Sequence, residues 1–148
     1  MIKGVKIKKL NTFFDERGWL TEVFRNDMTD FCPAMSYVSE TKSGVIRGPH
    51  EHVRQSDFFV FLIGKFRLYL WDNRKGVKNF RRLETIEVGD DNPVSVMIPP
   101  GVVHAYKCIS KKPGLVINMP DKLFGGKGKK GKVDEIRWED KDSPFVVK

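Results

Sequence analysis

Three histidines in this chain are spaced so that they can act on one substrate. His50 and His52 stand one residue apart in GVIRGPHEHVRQSDFFVFLIG, Gly44 to Gly64. That run is rich in strand-forming residues, and the alternation of an extended chain projects both imidazoles from one face. His104 follows a Pro-Pro-Gly turn in IPPGVVHAY, residues 98 to 106, and Tyr106, two positions on, points to the same side as His104. An imidazole changes charge near neutrality, so it can take and return a proton at physiological pH, and its neutral form also ligates metals. Arg47, three residues before His50, offers a planar fork of donors suited to a diphosphate.

Short strands must carry these groups. The dominant period is two, as in Phe66-Arg67-Leu68-Tyr69-Leu70-Trp71, and helical spacing is nearly absent. Strands are expected over roughly residues 2–8, 19–25, 35–40, 45–52, 57–63, 66–72, 80–88, 94–98, 103–109 and 114–119. Turn chemistry at Ile63-Gly64-Lys65, at Val88 to Pro93 and at Lys111 to Gly114 separates them. Such a series predicts an all-β sandwich or closed barrel, and residues 1–148 read as a single domain. Trp71 and Trp138 read as packing residues.

Composition narrows the partners. No apolar run approaches the ~20 residues that a membrane span needs, and the N-terminal MIKGVKIKKLN lacks the continuous apolar stretch of a secretory signal, so a cytoplasmic protein with no membrane partner is expected. Cys32 and Cys108 form no framework and read as reduced thiols. The net charge of +8 favours an anionic partner. The basic residues are dispersed and no nucleic-acid-binding motif accompanies them, which argues against nucleic acid. GGKGKKGK, residues 125–132, reads as a solvated loop.

The two histidine blocks resemble the paired motifs of the cupin superfamily. Gly44, His50, His52, Asp57, Gly64, Pro99, Gly101 and His104 fall on its positions, with Asp57 for the usual glutamate and Cys108 for the trailing asparagine. The resemblance implies a jelly-roll β-barrel. In a metal-dependent cupin, His50, His52, Asp57 and His104 would be ligands for Fe, Mn, Ni or Zn.

A longer resemblance runs from about residue 13 to residue 140, through FFDERGWLTEVF, GVIRGPHEH, YLWDNR, IPPGVVHAY and IRWED. It is to the dTDP-4-dehydrorhamnose 3,5-epimerase family, and it implies a homodimer that uses no metal or cofactor and binds a nucleotide-diphosphate-linked deoxysugar. On that pattern His50 is the general base, Asp140 orients it, Arg47 contacts the diphosphate, His104 lines the sugar pocket, and Arg17 and Glu22 help to bind substrate or brace the pocket. The substrate of such enzymes is a 4-keto sugar, whose C3 and C5 protons are acidified because their removal gives an enolate. A neutral imidazole suits that abstraction, a proton donor must stand on the opposite face, and something positive or hydrogen-bonding must hold the enolate oxygen.

The chain departs from the family at three places. No tyrosine follows Tyr106 where the family has its acid, and Asn118 lies near that position; Tyr106, Tyr37 or a water must substitute. Asp57 stands where the family has its enolate-stabilising lysine, and His52 replaces a glutamine of the substrate-binding stretch. The leading expectation is therefore a nucleotide-sugar epimerase confined to C3. A 3,4-ketoisomerase, a metal-dependent cupin enzyme and a non-catalytic sugar-nucleotide binding protein are the alternatives.

Overall fold

Alternating apolar residues close this chain into two facing five-stranded sheets, described over residues 1–148 by a computed structural model. The strands are β1 (Lys6–Lys9), β2 (Thr12–Asp15), β3 (Gly18–Thr21), β4 (Tyr37–Thr41), β5 (Ile46–Glu51), β6 (Asp57–Ile63), β7 (Lys65–Asp72), β8 (Leu83–Gly89), β9 (Val94–Ile98), β10 (Val102–Cys108), β11 (Gly114–Asn118) and β12 (Ile136–Arg137). One sheet runs β1-β9-β6-β11-β4 and the other β12-β5-β10-β7-β8, all antiparallel. This is the all-β sandwich that the strand pattern predicts, in the jelly-roll form that the cupin resemblance implies.

The period of two decides which face each strand buries. On β6 and β7, Phe59, Phe61, Phe66, Leu68 and Leu70 point inward and meet Val96, Val102 and Val116 from their neighbours. Phe61 is fully buried, and truncating such a ring to alanine costs about 3–5 kcal/mol. The opposite face of β7 is apolar as well. There Tyr69 and Trp71 pack with Val103, Ala105 and Phe145, and Trp138 closes over them, so the C-terminal segment covers the outer side of the second sheet. Both tryptophans are packing residues, as expected.

Two elements differ from the sequence expectation. No strand is expected between residues 8 and 19, yet β2 forms at Thr12–Asp15 and pairs only with β3 as a hairpin outside both sheets. The hairpin's apolar residues Phe13, Phe14, Trp19 and Leu20 are exposed. The two-residue β12 was not expected; its pairing with β5 supplies the bonds that its short sequence cannot signal.

Gly48 sets the approach of β5 to β10. Its φ is +85°, and a Cβ there would stand 2.6 Å from the His104 carbonyl oxygen. The peptide that follows, Gly48-Pro49, is cis. Beyond it β5 continues with His50 opposite His104.

Candidate active site

A cavity of about 840 Å³ opens between the sheets on the side of β4 and β5. Tyr37 and Ser39 line it from β4 and Phe59 from β6, facing Arg47, His50 and Tyr106 from β5 and β10. The loop at 120–129 and the segment at 133–139 complete its rim, bringing Lys129 and Arg137 to the mouth. The glycine-lysine loop that reads as merely solvated is thus part of the pocket wall, because its backbone folds on itself through a Gly131 N–H to Gly125 carbonyl bond.

At the base of this cavity the fold gathers the three histidines with Asp57. One donor atom from each of His50, His52, Asp57 and His104 lies within 4.8 Å of the others. The His50 and His104 rings are 4.4 Å apart and the His50 and His52 rings 5.5 Å apart. Register produces this cluster: His104 pairs with His50 across β5 and β10, and Asp57 opens β6 in the facing sheet.

The three imidazoles have different surroundings. His104 is 1% exposed, and its Nδ1 stands 3.0 Å from the Val102 carbonyl oxygen, so that nitrogen carries the hydrogen. His52 makes the same kind of bond from Nδ1 to the Asp134 carbonyl. Its Nε2 lies 2.9 Å from Asp57 Oδ2, and that of His104 lies 3.3 Å from the same oxygen. Asp57 Oδ2 and His104 Nε2 nevertheless lack a hydrogen-bond partner although both are buried. The other carboxylate oxygen, Oδ1, is satisfied by Asn118 Nδ2 at 2.8 Å and Gln55 Nε2 at 3.0 Å. His50 differs from both in that neither of its ring nitrogens makes a hydrogen bond to the protein; like His52, it lines the cavity.

Charge follows this wiring. Burial, with His104 and His52 close by, pushes His50 down to about 2, leaving it neutral. Burial opposes charge on His52 too, but the adjoining Asp57 carboxylate outweighs it and raises His52. Burial likewise works to raise Asp57, and the two imidazoles beside it overcome that and hold its carboxyl below the usual range.

Two tyrosines face the cavity. Tyr106 is buried among Phe59, Phe61 and Phe66, with its hydroxyl 3.3 Å from Ser39 Oγ. Tyr37, opposite Asn118 in the β4–β11 register, accepts a hydrogen bond from Asn118 Nδ2 at 3.0 Å. The Asn118 amide is oriented by Phe58, whose backbone N–H donates to its Oδ1 at 3.1 Å. Because Asn118 donates, the Tyr37 hydroxyl keeps its own hydrogen to give. Burial raises both tyrosines.

Several residues expected at the site stand elsewhere. Asp140, beyond the end of β12, is exposed to solvent and makes no hydrogen bond to His50. Trp138 turns outward onto Phe145 while Glu135, Arg137 and Glu139 face the cavity. Arg17 sits at the tip of the β2–β3 hairpin paired with Asp15, and Glu22 pairs with Arg25; neither lines this cavity. His104 and Asn118 lie behind its wall, as buried supports for Asp57 and Tyr37. Arg47 does line the cavity, its guanidinium braced by Thr41 Oγ1 at 3.0 Å and the Glu40 carbonyl at 2.8 Å.

Asp134 is the residue that sequence reasoning missed. Its carboxylate accepts the backbone N–H groups of Val53, Arg54 and Gln55 at 2.8–2.9 Å, which pins the turn after β5 and, through its carbonyl, the His52 ring. Nothing local in VDEIRW marks it, since its partners are about 80 residues away.

A family model described as dTDP-4-dehydrorhamnose 3,5-epimerase matches residues 1–144. A probable low-salt glycan biosynthesis epimerase, Agl13, of Haloferax volcanii is 36% identical over 126 residues, covering 83% of this chain and 81% of that protein. The spore coat polysaccharide biosynthesis protein SpsL of Bacillus subtilis is 35% identical over 119 residues, 79% of this chain and 78% of its own. Among solved structures, a dTDP sugar isomerase from Desulfovibrio desulfuricans superposes with a TM-score of 0.84 at 24% identity, covering 98% of this chain and 89% of that one. ChmJ, a 3'-monoepimerase from Streptomyces bikiniensis solved with dTDP-quinovose, gives 0.83 at 19% identity, with 99% and 75% covered. At these identities the two structures bear on the fold.

Proposed function

The chain belongs to the dTDP-4-dehydrorhamnose 3,5-epimerase family, and from that premise we propose that it inverts C3 of a nucleotide-diphosphate-linked 4-keto-6-deoxyhexose. The observation that carries this reading is that His50 is the one imidazole in the cluster with no bonded ring nitrogen, and it faces the cavity. It is therefore the ring free to accept a proton from carbon. Its role does not depend on Asp140.

Tyr37 is the opposing acid. It stands on the sheet that faces the one carrying His50, its hydroxyl aimed by Asn118, so a sugar between the sheets has base and donor on opposite faces. Tyr106 suits the role less well, because it shares the His50 sheet and its ring belongs to the core. Arg47, Lys129 and Arg137 around the mouth supply the positive charge that a diphosphate needs. His52 does not fit the one-sided shuttle of a 3,4-ketoisomerase, since its Nδ1 bonds the Asp134 carbonyl and its Nε2 lies 3.2 Å from Gln55 Nε2.

The functional unit is a homodimer. The exposed apolar hairpin, with Phe14 at 78% and Trp19 at 51% exposure, supports this, as does the position of Arg17 at its tip, away from the cavity of its own chain.

The test is hydrogen exchange. A dTDP-linked 4-keto-6-deoxyhexose incubated with the protein in deuterated water is expected to take up deuterium at C3 alone by NMR. His50→Asn should slow this by about 10²–10⁴-fold, the usual contribution of a general base. Exchange at a near wild-type rate in that variant refutes the assignment, and movement of the ketone to C3 selects the ketoisomerase.

A further inference from the structure

We infer that Glu51 is a positioning residue: through the Trp138 indole it sets the wall segment that brings Arg137 to the cavity mouth. Glu51 follows His50 on β5 and therefore faces the other way. His50 lines the cavity, whereas Glu51 is 6% exposed and meets Trp138, which packs on the outer apolar cluster against Phe145. Glu51 Oε1 accepts two hydrogen bonds, from Trp138 Nε1 at 3.0 Å and from Asn73 Nδ2 at 2.8 Å. Asn73 is oriented in turn by Arg81, whose Nε donates to Asn73 Oδ1 at 2.9 Å.

Both partners of the carboxylate are neutral donors, so no opposite charge offsets the cost of burying it. An apolar side chain at this position would avoid that cost. What the carboxylate supplies instead is an acceptor that fixes the direction of an indole N–H.

The segment needs such an anchor. β12 has two residues, Ile136 and Arg137, both exposed, and it lies at the edge of its sheet. Its backbone is tied to β5 by the pairing of Ile136 with Glu51 and of Arg137 with His50, and by the Trp138 N–H, which donates to the Pro49 carbonyl at 2.9 Å. A ladder this short is weak alone. The Arg137 side chain cannot hold it, being 69% exposed and paired with Glu135, its neighbour two residues back. The buried hold is Trp138, with its ring against Phe145 and its N–H on Glu51. One strand thus presents the base from one face and, from the other, the acceptor that places the arginine beside that base.

This inference rests on the proposed function for the identity of the ligand, a nucleoside diphosphate held by Arg137 with Arg47 and Lys129. Loosening the segment weakens binding that substrate and transition state share, so the loss falls on KM and not on kcat. Proton removal by His50 continues, because its pairing with His104 across β5 and β10 is untouched.

The experiment measures dTDP binding by titration calorimetry and amide hydrogen exchange over residues 134–139 by mass spectrometry, both on the full chain. In Glu51→Ala, dTDP should bind about ten- to a hundredfold more weakly, the loss of an oriented charged contact. The segment should exchange at least about tenfold faster. Glu51→Gln keeps an oxygen acceptor for both donors and should bring both readings back to within about threefold of wild type. Trp138→Phe keeps a ring but deletes the indole N–H, and it should reproduce the losses of Glu51→Ala; it carries the test if Glu51→Ala does not fold. With the 4-keto sugar, KM for deuterium uptake should rise in these two variants while kcat stays within about threefold. Wild-type dTDP affinity in Glu51→Ala or in Trp138→Phe overturns the inference, as does binding in Glu51→Gln as weak as in Glu51→Ala. If the wild-type protein binds no dTDP, the substrate reading fails by itself; hydrogen exchange then decides Glu51, and unchanged exchange over the segment in Glu51→Ala overturns its role.

Discussion

Replacing Tyr37 with phenylalanine should separate proton removal from stereochemical inversion. The substitution deletes one hydroxyl, which accepts a 3.0 Å hydrogen bond from Asn118. Asn118 keeps its 2.8 Å bond to Asp57, and Tyr37 is 46% exposed, so water can replace the lost acceptor. The stability cost should then sit at the low end of a net hydrogen bond, about 0.5 kcal/mol, or about 1–2 °C in Tm. The catalytic cost is much larger. A positioned general acid contributes about 10²–10⁴-fold, equivalent to about 3–5 kcal/mol of barrier.

His50 is untouched by this change, so removal of the C3 proton should continue. Deuterium would enter C3 at a rate within about threefold of wild type, while the inverted product forms about 10²–10⁴-fold more slowly. Both are read from one NMR time course in deuterated water. Inversion within about threefold of wild type would refute the assignment of Tyr37, and loss of exchange in parallel with inversion would show that the tyrosine organises the site instead. Tyr106→Phe is the internal control: should it lose inversion while Tyr37→Phe stays active, the donor is the core tyrosine.

Three other perturbations have outcomes set by the same contacts. Asp134→Ala removes the acceptor of three backbone N–H groups; two belong to exposed residues that water can serve, so the loss should be about 2 kcal/mol, seen as a Tm decrease of about 4–8 °C. The Arg74 guanidinium, 2.7 Å from Asp72, holds the Asp72 carboxyl below its ordinary range. A group lowered on folding stabilises above its unfolded pKa of about 3.9 and loses that contribution as pH falls through the folded value. The stability deficit of Asp72→Asn in urea titrations should accordingly be full at pH 7 and shrink below pH ~4; a deficit constant from pH 7 to pH 3 contradicts the pairing. Phe14→Ser with Trp19→Ser removes apolar surface from the β2–β3 hairpin and should shift the protein from dimer to monomer in light scattering, with the thermal midpoint at high dilution little changed.

Period two, turn residues and composition were sufficient to specify an all-β sandwich, because alternation on a strand is a local property and local pattern decides which face is buried. The spacing of His50, His52 and His104 marked the reacting centre for the same reason: two of the rings share one strand face, and a turn delivers the third. Partners were another matter. Asp140 is matched by its place in the chain, yet it is exposed to solvent while Glu135 and Glu139 line the cavity. Tyr37 and Asn118 are 81 residues apart and meet only through the β4–β11 register. The choice between Tyr37 and Tyr106 likewise depends on which sheet each strand joins. Asp134, and the two unsatisfied atoms between Asp57 and His104, become visible only when strands distant in sequence stand beside one another. Sequence periodicity fixes where a side chain points relative to its own strand; what it points at depends on strand order and register, which are properties of the assembled sheets.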